Sequence, residues 1–110
     1  MKETRVAQRY AKSLISLAEE RNILELVKED MQTIIAVCEE NHDFTSMLKN
    51  PIVKPDRKTL ILHQIFEKEV CELSLALINL VVQKRREAIL GAIADNFMDL
   101  YNELKNIVKA

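Results

Sequence analysis

A chain of 110 residues that is 48% apolar and 30% charged can bury about two-thirds of its unfolded surface in one domain, without disulfides or metals. One glycine, two prolines and no tryptophan exclude a sandwich or barrel with many tight turns, and the class read from this balance is all-α. Sixteen basic residues against seventeen acidic ones leave a net charge of −1, so no global field favours a nucleic-acid backbone or an anionic lipid surface.

Helical periodicity divides the chain into six segments. The first starts near Thr4 as a cap and stops at Asn22, a residue that tolerates the left-handed conformation closing a helix. Residues 23–40 follow, with Leu24, Val27, Met31, Ile34 and Cys38 on one face and Glu25, Lys28, Glu29 and Asp30 expected to face away. Asn41 is expected to cap a short third helix carrying Phe44, Met47 and Leu48, which Asn50-Pro51 ends because a residue before proline disfavours the α region. Pro55 suits the first turn of a fourth helix reaching about Lys68, with Asp56 at its positive end and Leu62, Ile65 and Phe66 as its stripe.

The fifth segment, Val70 to Val82, is apolar over roughly 260° of the helical wheel, leaving Glu72, Asn79 and Gln83 as a polar strip. Lys84, Arg85 and Arg86 then lie where its last carbonyls need positive neighbours. A sixth helix keeps the 3.6 period through Ile89 or Leu90, Ile93, Phe97, Leu100 or Tyr101, Leu104 and Val108. Gly91, the one glycine, sits within it, and close approach of another helix backbone is the expected reason.

Two helices carry more apolar surface than one small core consumes. On the first, Val6, Ala7, Tyr10, Ala11, Leu14, Ile15, Leu17 and Ala18 spread over roughly 180°, and the fifth is broader still. The alanine edge of the first helix can pack inward while the edge bearing Val6, Tyr10, Ser13 and Leu17 meets a partner.

Catalytic chemistry finds no foothold. His42 and His63 lack metal-ligand spacing, Cys38 and Cys71 are isolated and read as buried thiols, and one glycine cannot build a phosphate loop. Glu19, Glu20, Glu25, Glu29, Asp30, Glu39 and Glu40 read as a solvated surface, and no acidic residue interrupts an apolar stripe as a buried acid or base would. No catalytic residue, cofactor or metal is expected. The longest apolar runs, Leu60–Leu62 and Leu80–Val82, fall far short of the ~20 residues that span a bilayer, and the N-terminus lacks a signal-peptide core. A soluble, cytosolic chain is expected.

Three stretches in this order and spacing, VAQRYAKSLISLAEE, LKNPIVKPDRKTLILHQIF and LINLVVQKRREAILGAIADNF, resemble the delta subunit of bacterial F-type ATP synthases, called OSCP in mitochondria. The resemblance covers nearly the whole chain. It implies that residues 1–110 form a six-helix N-terminal domain, a noncatalytic stator piece on the catalytic head that grips the N-terminal helix of an alpha subunit with its first and fifth helices. By the motif, Tyr10, Ser13, Ala76 and Leu80 would line that groove, and the wheel adds Val6, Leu17 and Leu73. Truncating Tyr10 or Leu80 should then weaken binding while leaving the fold largely intact.

The resemblance also implies a place on the cytoplasmic face of the bacterial inner membrane, held there peripherally through the complex. A smaller C-terminal domain that meets the peripheral-stalk b subunit is expected to be absent from these 110 residues. The family commonly has a glycine before the arginine that follows the fifth helix, and here Arg85 precedes Arg86, which puts that turn's geometry in question. The competing readings are an all-helical RNA-binding module, disfavoured by the neutral charge and scarce aromatics, and a bundle that closes its groove by self-association.

Overall fold

The computed structural model describes residues 4–109, which form six α-helices in the order α1 (Thr4–Glu20), α2 (Leu24–Glu40), α3 (His42–Lys49), α4 (Pro55–Phe66), α5 (Glu72–Gln83) and α6 (Leu90–Lys109). One 3-10 turn, Glu87–Ile89, leads into α6. The all-α bundle expected from composition is the architecture found, and the described residues contain no strand.

Local chemistry sets the breaks. Asn22 takes φ 59° and Arg85 takes φ 61°, each one residue beyond a helix cap. At the end of α1 the Asn22 N–H donates to Glu19 O and the Ile23 N–H to Ala18 O; at the end of α5 the Arg85 N–H donates to Val82 O and the Arg86 N–H to Val81 O. These paired bonds are Schellman closures, which satisfy carbonyls a helix end would otherwise leave open. The position where the resemblance expects glycine therefore does need the left-handed region, and Arg85 occupies it at a conformational cost. Arg85→Gly is expected to raise stability by about 0.5–1 kcal/mol, the relieved strain less the extra freedom of an unfolded glycine. An unchanged or lower melting temperature would contradict that account.

Pro55 is in the first turn of α4 and Asp56 beside it, as the sequence suggests. The fourth helix ends at Phe66 rather than near Lys68, and the fifth begins at Glu72 rather than Val70. Asn41 precedes α3 but its side chain makes no capping bond, so the expected cap is absent; the capping role given to Thr4 lies outside the described side chains.

The core is a continuous apolar cluster that includes Ala7, Ala11, Leu14 and Ala18 of α1, Val27, Met31 and Ile34 of α2, Leu62 and Phe66 of α4, Ile78 and Val81 of α5, and Ile93 and Phe97 of α6. Phe44 of α3 meets Phe66 edge to face, with ring centroids 6.1 Å apart. α6 runs along α1 and α2, while α5 packs on α4 and α2. Leu90 rather than Ile89 is the buried residue at the start of the α6 stripe; the side chain of Val108 is outside the described residues.

Among the described residues three charged ones are buried, and two of them, Asp30 and Glu87, run contrary to the expectation that no acid interrupts an apolar face. Asp30, read from sequence as facing solvent, is 4% exposed. Its Oδ2 accepts from the Cys71 N–H at 2.9 Å and from the Ser74 hydroxyl at 2.7 Å, so a carboxylate of α2 caps the N-terminus of α5 across the fold. Asp30→Asn keeps an acceptor but loses the charge, and a loss of about 1–2 kcal/mol in a denaturant melt is expected. Retention of full stability would mean the cap is ornamental to α5.

Lys58 and Glu87 are the other two. Lys58 Nζ donates to Glu87 Oε2 at 2.6 Å and to the Leu48 carbonyl at 2.9 Å, tying α4 to the 3-10 turn and to the end of α3. At the far end of the bundle, the Tyr101 hydroxyl of α6 donates to both carboxylate oxygens of Glu25 in α2 at 2.8 Å, and Lys105 Nζ stands 3.3 Å from Glu25. The phenol's hydrogen bond, helped by Lys105 and Lys28, lowers the Glu25 carboxyl below its ordinary range, and the same bond raises the Tyr101 phenol.

Gly91 lies in the first turn of α6, and what faces it is a side chain rather than a helix backbone: a Cβ there would meet Cys38 Sγ at 3.4 Å. Both cysteines are free and half-buried, less enclosed than the buried thiols expected. Burial pushes the Cys38 thiol up, aided by Asp95 and Glu39.

Candidate functional site

α1 and α5 are neighbours that do not pack tightly on one another, since each spends its most buried face elsewhere. Ala7, Ala11 and Ala18 put the small-residue face of α1 inside the protein, with α6 and α2 as its main neighbours. On α5, Ser74, Ile78, Val81 and Val82 point into the core. What remains between the two helices is an open apolar furrow of about 170 Å³ lined by Tyr10, Ser13, Leu14 and Leu17 of α1 and by Leu73, Ala76, Leu77 and Leu80 of α5.

The helical repeat builds this lining. Tyr10, Leu14 and Leu17 fall on one edge of α1 at spacings of four and three, and Leu73, Leu77 and Leu80 do the same on α5. Leu14, Leu73 and Leu77 are buried and form the floor, whereas Leu17 at 37% and Leu80 at 38% exposure form the lips. Ser13 and Ala76 are exposed between them and leave the furrow open, because neither side chain is large enough to fill it. Exposed apolar area costs roughly 25 cal/mol per Å² relative to burial, so the furrow is a standing gain for any apolar face that covers it.

Six of the seven residues singled out from sequence, Tyr10, Ser13, Leu17, Leu73, Ala76 and Leu80, come together in this lining. Val6 does not; it is half-buried one turn before Tyr10 and outside the furrow. Leu14 and Leu77 were missed as furrow residues, although each is four residues from one lining position and three from another, a signal the wheel already contained.

Tyr10 is neither a free anchor nor a core residue. Its hydroxyl accepts from Arg86 Nη1 at 3.1 Å, and the Arg86 guanidinium stands 5.9 Å from the ring centre. Arg86, expected to serve the last carbonyls of α5, is thus turned to Tyr10, while the backbone closure at Arg85 satisfies those carbonyls instead.

The furrow offers contact rather than reaction. Its lining holds no carboxylate, histidine, lysine or cysteine, and its polar groups are the Ser13 hydroxyl and the engaged hydroxyl of Tyr10. His63 lies elsewhere, donating from Nε2 to Asn79 Oδ1 at 2.6 Å with Nδ1 3.5 Å from Glu67. Among the described residues no group of three His, Cys, Asp or Glu side chains could hold a metal ion, and no helix is long and apolar enough to cross a membrane.

Fold and furrow together define an all-α six-helix bundle with an open apolar cleft between its first and fifth helices. Residues 6–110 match the family described as the ATP synthase delta (OSCP) subunit, and the chain belongs to that family. It is 44% identical over 107 residues to the ATP synthase subunit delta of Cytophaga hutchinsonii, covering 97% of this chain and 59% of that protein. It is 36% identical over 104 residues to the subunit delta of Chlorobaculum tepidum, covering 94% and 58%. The chain thus spans somewhat under three-fifths of the length of these curated relatives. Among solved structures, a chain of the Toxoplasma gondii mitochondrial ATP synthase hexamer superposes with a TM-score of 0.77 at 26% identity, over 83% of this chain and 51% of that one.

Proposed function

We propose that this chain acts as the helical N-terminal domain of a noncatalytic stator subunit in a proton-translocating F-type ATP synthase. It holds the catalytic head by taking the amphipathic N-terminal helix of an alpha subunit into the furrow between α1 and α5. The observation that carries this reading is the furrow itself: an apolar cleft, open along two helices, on a member of the delta (OSCP) family. A helix laid between two others buries an apolar stripe on both sides, which suits a stator that must resist torque without chemistry.

In this reading the domain supports ATP synthesis coupled to proton transport from the cytoplasmic side of a bacterial membrane. It is peripheral to that membrane through the complex, and contact with the peripheral-stalk b subunit falls to a further C-terminal domain. The RNA-binding alternative has little support, because the family assignment points elsewhere and Arg86 is engaged with Tyr10.

The test is a titration of the chain with a peptide of about 20 residues from the start of the cognate alpha subunit, followed by amide NMR shifts. Saturable binding that moves α1 and α5 is expected. A well-folded domain whose α1 and α5 resonances stay put would overturn the reading, and sedimentation that changed with protein concentration would point to self-association in its place.

A further inference from the structure

The furrow has two electrically different ends. Tyr10, toward the start of α1, meets Arg86 just past the end of α5, while Leu17, toward the end of α1, shares the cavity with Leu73 at the start of α5; the two helices run antiparallel along it. At the first end stand Arg5 and Arg9 of α1 with Lys84, Arg85 and Arg86 after α5, all exposed. At the second stand Glu20 of α1 with Glu69 and Glu72 around the start of α5, also exposed and only partly offset by Arg21 and Lys68, while Glu19 faces a separate cleft before α2.

Capping of α5 does not account for so much positive charge, since a helix terminus presents only about half an elementary charge. Nor do internal ion pairs consume it: among the described residues none of Arg9, Lys84, Arg85 or Arg86 is paired with a carboxylate, and neither Glu20 nor Glu72 with a base. From Arg9 to Glu20 the rise along α1 is about 16 Å. That exceeds the ~8 Å over which physiological salt screens charge, so each end of the furrow reads the charges set against it separately.

From this layout we infer that the furrow selects the charge register of its occupant. It takes an amphipathic helix with acidic residues seated beside Tyr10 and Arg86 and basic residues about three turns away beside Glu20 and Glu72, and this polarity sets the direction in which the helix lies. The inference rests on the furrow as the helix-binding site and adds which way round the helix sits. The net charge of −1 conceals it, because a sum over the whole chain does not record where the charges lie.

Two designed peptides of about 20 residues, sharing one apolar stripe, decide the matter. One carries glutamates in its first turns and lysines in its last, the other the reverse, and each bears a nitroxide at its N-terminus. The label of the acid-first peptide is expected to broaden the amides around Arg9 and Lys84, and that of the base-first peptide those around Glu20 and Glu72. The same end broadened by both peptides would overturn the charge reading while leaving the furrow as a helix site. If neither peptide bound saturably, the furrow reading would fall and this inference with it. The double substitution Arg9→Glu, Lys84→Glu should weaken the acid-first peptide on the order of tenfold at low salt, an effect that high salt removes; equal affinity at low salt would count against the inference.

Discussion

Lys58→Met, which keeps the side chain's volume but removes its charge, is expected to cost about 3–5 kcal/mol of folding stability. The reason lies in what Lys58 leaves behind. Lys58, a residue only 2% exposed, sets its ammonium against the carboxylate of Glu87, a residue 6% exposed, and against the Leu48 carbonyl at the end of α3. Glu87 Oε1 is already buried without a partner, so removing Lys58 strands the whole carboxylate in the interior. The melting temperature should fall by more than about 10 °C. The double variant Lys58→Met, Glu87→Leu should recover most of that loss, because two apolar side chains impose no desolvation penalty. A single variant that melts within about 1 kcal/mol of the parent would show that water reaches the pair and that the tie between α3, α4 and the 3-10 turn is weak.

Leu80→Glu is expected to weaken capture of the alpha-subunit peptide by about 100-fold, or about 2.7 kcal/mol, with little change in thermal stability. Leu80 forms a lip of the furrow and is 38% exposed, so a charged replacement can reach water in the unoccupied domain. With a helix seated over it, the same carboxylate would be enclosed by apolar side chains and its hydration lost. The control is Ile78→Ala two residues earlier: Ile78 is fully buried on the core face, and its truncation should cost about 2–5 kcal/mol of stability. Paired calorimetry and melting separate the two faces of α5, and an unchanged affinity in the Leu80 variant would remove the furrow as the peptide's seat.

Both predictions depend on features that differ in how visible they are along the chain. The Leu80 lip follows from periodicity, because a helix wider in apolar arc than its neighbours can cover must expose part of that arc. The Lys58–Glu87 pair joins residues 29 positions apart whose local patterns are those of ordinary solvated charges. Asp30 is the same case: flanked by Glu29 and two residues beyond Lys28, it looks like part of a polar face until Cys71 and Ser74 are brought against it.

What the residues determined unaided was the set of elements: six helices from the 3.6 period, their breaks at Asn22, Asn50-Pro51 and Pro55, and two over-wide apolar faces on the first and fifth. These rest on interactions within a turn or two of the backbone, where propensity and period act directly. Tertiary structure alone decided which of those faces stayed open, that Val6 lies outside the furrow while Leu14 and Leu77 form its floor, and that Arg86 turns to Tyr10. It also decided which charges went inside, because the free energy of a buried carboxylate depends on a partner supplied by another helix, and no local pattern records that partner.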